Sequence, residues 1–450
     1  MVIQQDSIPL QTMDEGAQTF YPDSNSRKHP RHAIAFFLLG LLNNMMYVVI
    51  LTAALELLPS QVPTGLLAFA NITPALIAKA VFPYWLKGEI QYNGRVWACT
   101  CLAFVGMLTI AYMDSLVIRL LGIATASFAN GLGEITYLQY ATRFPHDITT
   151  YTVGWFSSGT GAAGLIGATA WWAVRPLGVK SGLSILAFFS FGTTLAFFVI
   201  LPHPQIHVRK RASADDTREA LIAPENEFSE VEANDGANAL SFSHKMRLLK
   251  PMLIPYVMPL TCVYFAEYTI NQGVAPTLLY NIPDPHQHPL LSFVLKNLRD
   301  YYPLYQLTYQ TFVFISRSYT SIFSLPAIPT KWMWMPAAVQ FALFFLLTSE
   351  SIFSWFKDSI ARSLVIVLVA VEGLAGGSAY VSVMSRIGGI ERQRGYQNVA
   401  LHNQEYEFRM GSVSLGDSLG IVLASIVSIP MQVALCAAQV KRGKELCTQT

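Results

Sequence analysis

The chain has 450 residues, 52% of them hydrophobic and only 13% charged, with a formal net charge of +2 and a mean hydropathy of +0.39. Charge this sparse, with no basic cluster interleaved with aromatics, excludes a nucleic-acid surface. Long apolar blocks broken by short polar turns exclude an ordinary soluble core and predict an all-α polytopic membrane protein.

Residues 1–32 are polar and mixed in charge, with Pro9, Pro22, Asp23, Ser24 and Asn25 among them. They do not run from a short basic start into an apolar stretch with a small-residue cleavage site, so they read as a disordered cytosolic tail. Apolar segments follow at about 33–57, 62–84, 96–113, 116–140, 151–173 and 179–201, each near the ~20 residues a crossing helix needs. The stretch 202–248 interrupts them. It opens on Arg209, Lys210 and Arg211, then turns acidic through Asp215, Asp216, Glu225, Glu227, Glu230, Glu232 and Asp235. Without apolar periodicity it reads as a charged cytosolic linker, open to cytosolic partners. Further segments at about 251–272, 303–325, 332–348, 360–384 and 412–437 complete the pattern. The expectation is about 11 crossings in two bundles, 33–201 and 249–437, with a tail at 438–450. A twelfth requires a half-span hidden at 274–302 or 386–411.

Lys87, Arg95, Arg143 and Arg209 to Arg211 share one set of connections, whereas Pro59 to Gln61 and Asp114 to Ser115 on the other carry no Lys or Arg. The positive-inside rule then places the N-terminus and the linker in the cytosol. Arg175 and Lys180 run against it, and an odd number of crossings sets Lys441, Arg442 and Lys444 against it too. The 274–302 connection, with Pro276, Pro283, Pro285 and Pro289, reads as an extended lumenal loop. His286 and His288 lie within it, with only Asp284 beside them as a further metal ligand. The 386–411 segment sets Arg386, Arg392, Arg394 and Arg409 beside Ile387, Ile390, Val399 and Leu401. It fits either a surface amphipathic helix or a solvated loop.

Cys99, Cys101, Cys262, Cys436 and Cys447 lack metal or redox spacing, and no metal or cofactor is expected. Cys99 and Cys101 read as small buried hydrophobes. Cys447 stands where a prenylated cysteine would, but Thr448, Gln449 and Thr450 match that signal poorly. No nucleophile with a histidine partner and no phosphate-binding Lys-Ser/Thr ending is present, so the chain does not read as an enzyme.

The chemistry lies in the polar groups inside the apolar segments. Glu56, Glu134, Glu267, Arg317, Glu372 and Asp417 are all there, and a charge facing hydrocarbon costs roughly 2.5 kcal/mol on the mildest scale. They therefore face a bundle interior or a solvated cavity. Asn43 and Asn44 point roughly 100° apart, so at least one meets other helices. In Asn130-Gly131-Leu132-Gly133-Glu134-Ile135-Thr136-Tyr137, Glu134 and Tyr137 are three apart on one helix face. Glu267 and Asn271 are four apart with Tyr264 three before, on a stripe that ends at Gly273, where the helix is expected to break before Pro276. Tyr305, Tyr309 and Gln310 lead along another face to Arg317, which if buried must pair with a carboxylate, Glu134 or Glu267. Glu372 lies among Gly373, Gly376 and Gly377, and Asp417 between Gly416 and Ser418. Gly154, Gly159, Gly161, Gly164 and Gly167 mark a tightly packed seam. Each polar group admits a plain reading as a tie between helices. As a set, Asn43, Glu134, Tyr137, Tyr264, Glu267, Asn271, Gln310, Arg317, Glu372 and Asp417 predict a transport cavity with proton coupling.

Five stretches carry a resemblance: Phe37 to Asn44 with Tyr47-Val48-Val49, Asn130 to Glu134, Trp155 to Gly161, Tyr264 to Tyr268 with Asn271-Gln272-Gly273, and Tyr309-Gln310 with Ser316-Arg317-Ser318. They resemble the battenin family of lysosomal and vacuolar membrane proteins. The resemblance implies a major-facilitator-like fold, a vacuolar membrane address and a role in vacuole pH. It also implies secondary transport of a basic amino acid such as arginine, or of a glycerophosphodiester, with protons and membrane lipid as further partners. The rival expectation is a non-transporting scaffold that regulates vacuolar trafficking or the proton pump.

Overall fold

The computed structural model describes residues 29–53, 64–85, 90–202, 240–283, 289–389 and 399–448. Among them every regular element is helical. Before the linker run α1 (Pro30–Thr52), α2 (Thr64–Trp85), α3 (Tyr92–Tyr112), α4 (Leu116–Ala141), α5 (His146–Val174), α6 (Gly178–Ala187) and α7 (Ser190–Leu195). After it come α8 (Phe242–Met252), α9 (Met258–Thr269), α10 (Pro289–Val294), α11 (Tyr301–Ser318), α12 (Met335–Phe353), α13 (Asp358–Gly389), α14 (Val399–Val413) and α15 (Leu415–Val440). Eight stretches of the described residues are long and apolar enough to cross a membrane, and the longest, Ile148–Ile200, spans 53 residues. That stretch reverses at Gly178, whose φ of +83° is open to glycine at little cost.

In α1, α9 and α12 a proline sits in the first turn, where its missing N–H costs least, whereas Pro74 and Pro83 lie inside α2 and Pro430 inside α15. One five-residue π turn, Ala196–Ile200, ends the α6–α7 segment, and two more, Leu253–Val257 and Ile270–Val274, flank α9. The last replaces the break expected at Gly273: the helix continues through a π turn and a 3-10 turn to Thr277. Such insertions rotate the following side chains and often mark functional sites.

Before the linker, α1 packs along α5, and α4 along α2 and α3; after it, α11 packs along α13 and α9 along α15. Helices from the two sides of the linker meet as α5 against α11 and α13, and as α2 against α15. The α1–α5 seam shows why its glycines are there. Gly159 lies against the Phe37 carbonyl and Gly40 against the Phe156 carbonyl, each closer than any Cβ could come. Backbones this close gain dispersion contacts that larger residues would prevent.

Burial has a polarity that matters for access. One apolar cluster joins helices from both sides of the linker, through Phe36, Tyr140, Phe156 and Leu201 with Met252, Tyr380, Met384 and Met410. It occupies the end of the molecule where the linker leaves and returns. At the opposite end the apolar clusters are separate. Met45, Ile50, Met107 and Trp171 pack only with helices before the linker, and Tyr280, Tyr305, Leu347 and Val365 only with helices after it.

Several sequence expectations shift. Residues 242–248, assigned to the linker, are helical in α8, capped by the Ser241 hydroxyl, which accepts from His244 N at 3.2 Å. Apolar periodicity is weak there because Lys245 and Arg247 share the turn. Residues 399–413 form α14, which docks on protein through buried Tyr406, Phe408 and Met410. They are helical rather than a solvated loop. Cys101 is exposed on the outer face of α3, and only Cys99 of that pair is buried. Cys447 forms a disulfide with Cys436, so its sulfur is not available as a lipid acceptor. Glu56, the 1–28 tail, the acidic part of the linker, His286 and His288 lie outside the described residues.

Candidate functional site

A polar cavity of about 80 Å³ lies where α1, α2, α4 and α5 face α9, α11, α13 and α15. Its charged lining is Lys79, Glu134, Arg317 and Asp417. Lys79, buried on α2, reaches Glu134 Oε2 on α4 at 2.8 Å and Asp417 Oδ1 on α15 at 3.0 Å. One ammonium thus serves two carboxylates and ties the two sides of the molecule together. Lys79 Nζ also reaches Asp417 Oδ2 at 3.2 Å, and neutral donors add to both carboxylates. The Tyr380 hydroxyl donates to Glu134 Oε1 at 3.0 Å, and Ser418 N and Oγ donate to Asp417 Oδ1 at 2.5 and 3.1 Å.

Arg317 approaches from α11. Its Nη1 donates to Thr160 Oγ1 and its Nη2 to the Tyr264 hydroxyl, both at 2.6 Å, and the guanidinium lies 4.3 Å from the centre of the Tyr380 ring. No carboxylate of the described residues comes within ion-pair distance of it, and its buried Nε has no acceptor. The expected partner of Arg317, Glu134 or Glu267, is therefore not its partner, because Lys79 has taken Glu134 and Glu267 is held by other donors. Tyr380 connects the two centres, with its ring under the guanidinium and its hydroxyl on Glu134. Two cations and two carboxylates balance across the cavity, which lowers the cost of burying any of them.

Glu267, Glu372 and Asn271 sit behind the cavity wall rather than on it. The Tyr309 hydroxyl, on the wall, donates to Glu267 Oε1, and Asn271 Nδ2 donates to Glu372 Oε1 at 2.9 Å. Tyr264 and Gln310 line the cavity. Gln310 does so because Gly164 has no side chain where its amide lies. Of the adjacent asparagines, Asn44 faces the cavity. Asn43 is a tie between α1 and α4, donating to Asn130 O at 3.0 Å and Asn130 Oδ1 at 2.7 Å. Tyr137 points away into apolar packing, its ring 6.4 Å from that of Phe156. Three helical residues turn 300°, and the remaining 60° separates a cavity-facing acid from a core-facing phenol.

Sequence reasoning missed Lys79, Tyr380 and the pairing role of Thr160. The signal for Lys79 was present, as a lone cation in the apolar run Ala78-Lys79-Ala80-Val81.

A second polar cluster closes the linker end. Glu407, buried on α14, accepts from Arg143 Nε at 2.6 Å and the Tyr92 hydroxyl at 2.8 Å. Gln139 Nε2 donates to the Glu407 carbonyl at 3.1 Å and is itself held by Arg95. Burial works against the Arg143 charge, but the Glu407 carboxylate and Tyr92 beside it hold its pKa above the usual arginine range. On α8, Lys245 Nζ donates to the Pro83 and Tyr84 carbonyls at 3.0 Å each, a cation at the C-terminal end of α2 as the helix dipole favours.

The family model described as CLN3 protein matches residues 34–438. "Protein BTN1" of Mycosarcoma maydis is 48% identical over 95% of this chain and 90% of its own length. "Protein BTN1" of Yarrowia lipolytica is 35% identical over 93% and 98% respectively. Among solved structures, the human organic anion transporter MFSD10 (TETRAN) superposes with a TM-score of 0.56 at 14% identity, covering 94% of this chain and 99% of that one. That likeness gives the chain a major-facilitator-like fold. With the match extending from the first described helix to near the end of the last, the chain belongs to the CLN3 protein family, the battenins, polytopic membrane proteins rather than enzymes.

Proposed function

We propose that the protein is a secondary transporter of the vacuolar, lysosome-like membrane that works by alternating access between two bundles. The observation that carries this reading is the cavity in which Lys79, Glu134, Arg317 and Asp417 meet from both sides of the linker. Charged groups at membrane depth are retained where solute or protons pass, and transporter sites lie where two repeats face each other. A topology of about 11 crossings fits: the Ile148–Ile200 stretch crosses twice, and α2 and α11 cross beside the other apolar stretches. The N-terminus and linker are then cytosolic and α15 ends in the lumen.

The apolar cluster and the Glu407–Arg143 contact at the linker end, against separate clusters at the other, support a state closed to the cytosol and readied toward the lumen. A cavity of about 80 Å³ holds a few waters, so a solute enters only when the bundles part. The charge balance bears on the cargo. Lys79 neutralises the acids on which recognition of a cationic amino acid would rest, while Arg317 faces the cavity with an unused N–H among hydroxyl donors. A phosphodiester suits that arrangement, so a glycerophosphodiester is favoured over arginine.

The rival reading is a scaffold whose polar groups are static ties. The two separate on solvent access. With Cys99, Cys101 and Cys262 replaced by alanine, Gln310→Cys and Ser418→Cys are expected to react with a small thiol reagent applied from the lumenal side. Silence of both cysteines from both sides would favour the scaffold.

A further inference from the structure

Behind the cavity wall, α9, α11, α12 and α13 enclose a cluster that the transport reading leaves unexplained. Glu267 and Glu372 are 1% and 0% exposed. No Lys, Arg or His of the described residues lies within ion-pair distance of either; their partners are neutral. The Tyr309 hydroxyl donates to Glu267 Oε1. Gln340 Nε2 donates to Glu267 Oε2 at 3.3 Å and to the Glu372 carbonyl at 2.8 Å. Asn271 Nδ2 donates to Glu372 Oε1 at 2.9 Å and to the Glu267 carbonyl at 3.1 Å. Gln306 Nε2 donates to Asn271 Oδ1 at 2.9 Å.

Two buried atoms are left over, Glu372 Oε2 and Gln340 Oε1, and neither has a partner. Both are acceptors. The amide protons of Gln340 and Asn271 are already spent on the oxygens around them, so both acceptors stay bare and the two carboxylates have no cation among the described residues. A buried unpaired acceptor costs about 1–3 kcal/mol, and a buried carboxylate with no cation costs several more. A single proton on Glu372 turns the bare oxygen into an O–H donor and removes one of the two charges, leaving Glu267 with the Tyr309 and Gln340 donors. A metal cation fits worse, because only Glu372 Oε2 and Gln340 Oε1 are free to bind it, too few oxygens for a hard cation.

We propose that Glu372 is the site of the coupling proton, taking it up as –COO⁻ + H⁺ → –COOH and releasing it in reverse, with no other bond changed. This rests on the transporter reading and adds its driving ion. Tyr309 is the link to the cargo. It lines the cavity and also donates to Glu267, so a solute that draws the Tyr309 hydroxyl into the cavity leaves Glu267 short of a donor. The proton then serves the pair of acids, and solute and proton bind together. The titratable groups facing Glu372 are Glu267 from α9 and, through Glu267, Tyr309 from α11. Arg317 lies two turns further along α11, and α12 contributes the neutral Gln340.

The test compares the full-length protein with Glu372→Gln, whose amide supplies the missing donor but cannot release a proton, and with Glu372→Asp, which restores a carboxyl. Infrared difference spectra of each in liposomes, recorded between acidic and alkaline pH, should show the carbonyl band of a neutral carboxyl in the wild type. Glu372→Gln should lose that band and Glu372→Asp should keep it. In the same liposomes, counterflow of labelled glycerophosphocholine should survive in Glu372→Gln, while uptake driven by a pH gradient falls about tenfold. A wild-type band in Glu372→Gln, or undiminished gradient-driven uptake, overturns the proposal. If the wild-type protein moves neither glycerophosphocholine nor arginine, the transporter reading fails, and the infrared band still decides whether Glu372 carries a proton.

Discussion

Replacing Lys79 by methionine removes the one cation that serves Glu134 at 2.8 Å and Asp417 at 3.0 Å, in a site where the side chains are 3%, 7% and 9% exposed. Methionine fills the same volume, so packing is preserved and the loss is electrostatic. Breaking a buried pair by deleting one partner costs about 3–5 kcal/mol, because the surviving charge has neither water nor counter-ion. Here two carboxylates are stranded together, so the upper part of that range applies. The damage should shrink as the stranded charge is removed. Lys79→Met and Asp417→Asn together should cost less than the sum of their separate losses, by a coupling of about 0.5–3 kcal/mol. Adding Glu134→Gln should restore more. Thermal unfolding of the purified protein in detergent, followed by tryptophan fluorescence, orders the variants. If Lys79→Met unfolds with the wild type, or if its loss and that of Asp417→Asn simply add, the ion cluster does not hold the two sides together as described.

Arg317→Lys should cut glycerophosphodiester uptake about tenfold or more, because an ammonium cannot span Thr160 and Tyr264 while lying flat on Tyr380; an equal loss of arginine transport would mark the residue as structural. Glu407→Gln weakens the contact with Arg143 and Tyr92, so a cysteine at Ser412 should react faster with a thiol reagent from the cytosolic side. An unchanged rate would show that the apolar cluster alone closes that end. Gly159→Val forces a side chain against the Phe37 carbonyl and should destabilise the fold by at least the ~1–3 kcal/mol typical of overpacking, read as a lower unfolding temperature; a wild-type temperature would refute so close a seam.

The helices were legible because apolar runs of crossing length have few other uses, and their limits fall within a few residues of the structure at most ends. What local sequence does not carry is partnership across the chain. Lys79 and Asp417 are 338 residues apart, and nothing in the pattern around either names the other, so Arg317 was assigned a carboxylate that Lys79 occupies. The choice between Asn43 and Asn44 could not be made from spacing, since it depends on which side α4 lies. Tyr137 shows the coarseness of helical periodicity, as a 60° offset is the difference between cavity and core. Glu267 and Asn271 do share a face, as their spacing predicts, but it meets α11, α12 and α13 behind the cavity wall. In the 386–411 segment the arginines fitted a lipid surface or solvent, and nothing in that pattern names Arg143 and Tyr92 as the partners of buried Glu407.

The account depends most on solute passing through the cavity between the two sides of the molecule. Flux of labelled glycerophosphocholine and arginine into liposomes containing the purified protein, at two internal pH values, measures this directly. The prediction is saturable glycerophosphocholine uptake above protein-free liposomes that changes with pH, and its loss in Arg317→Ala protein that still unfolds cooperatively. Wild-type flux no greater than that of protein-free liposomes for both solutes, or full flux in Arg317→Ala, would contradict it.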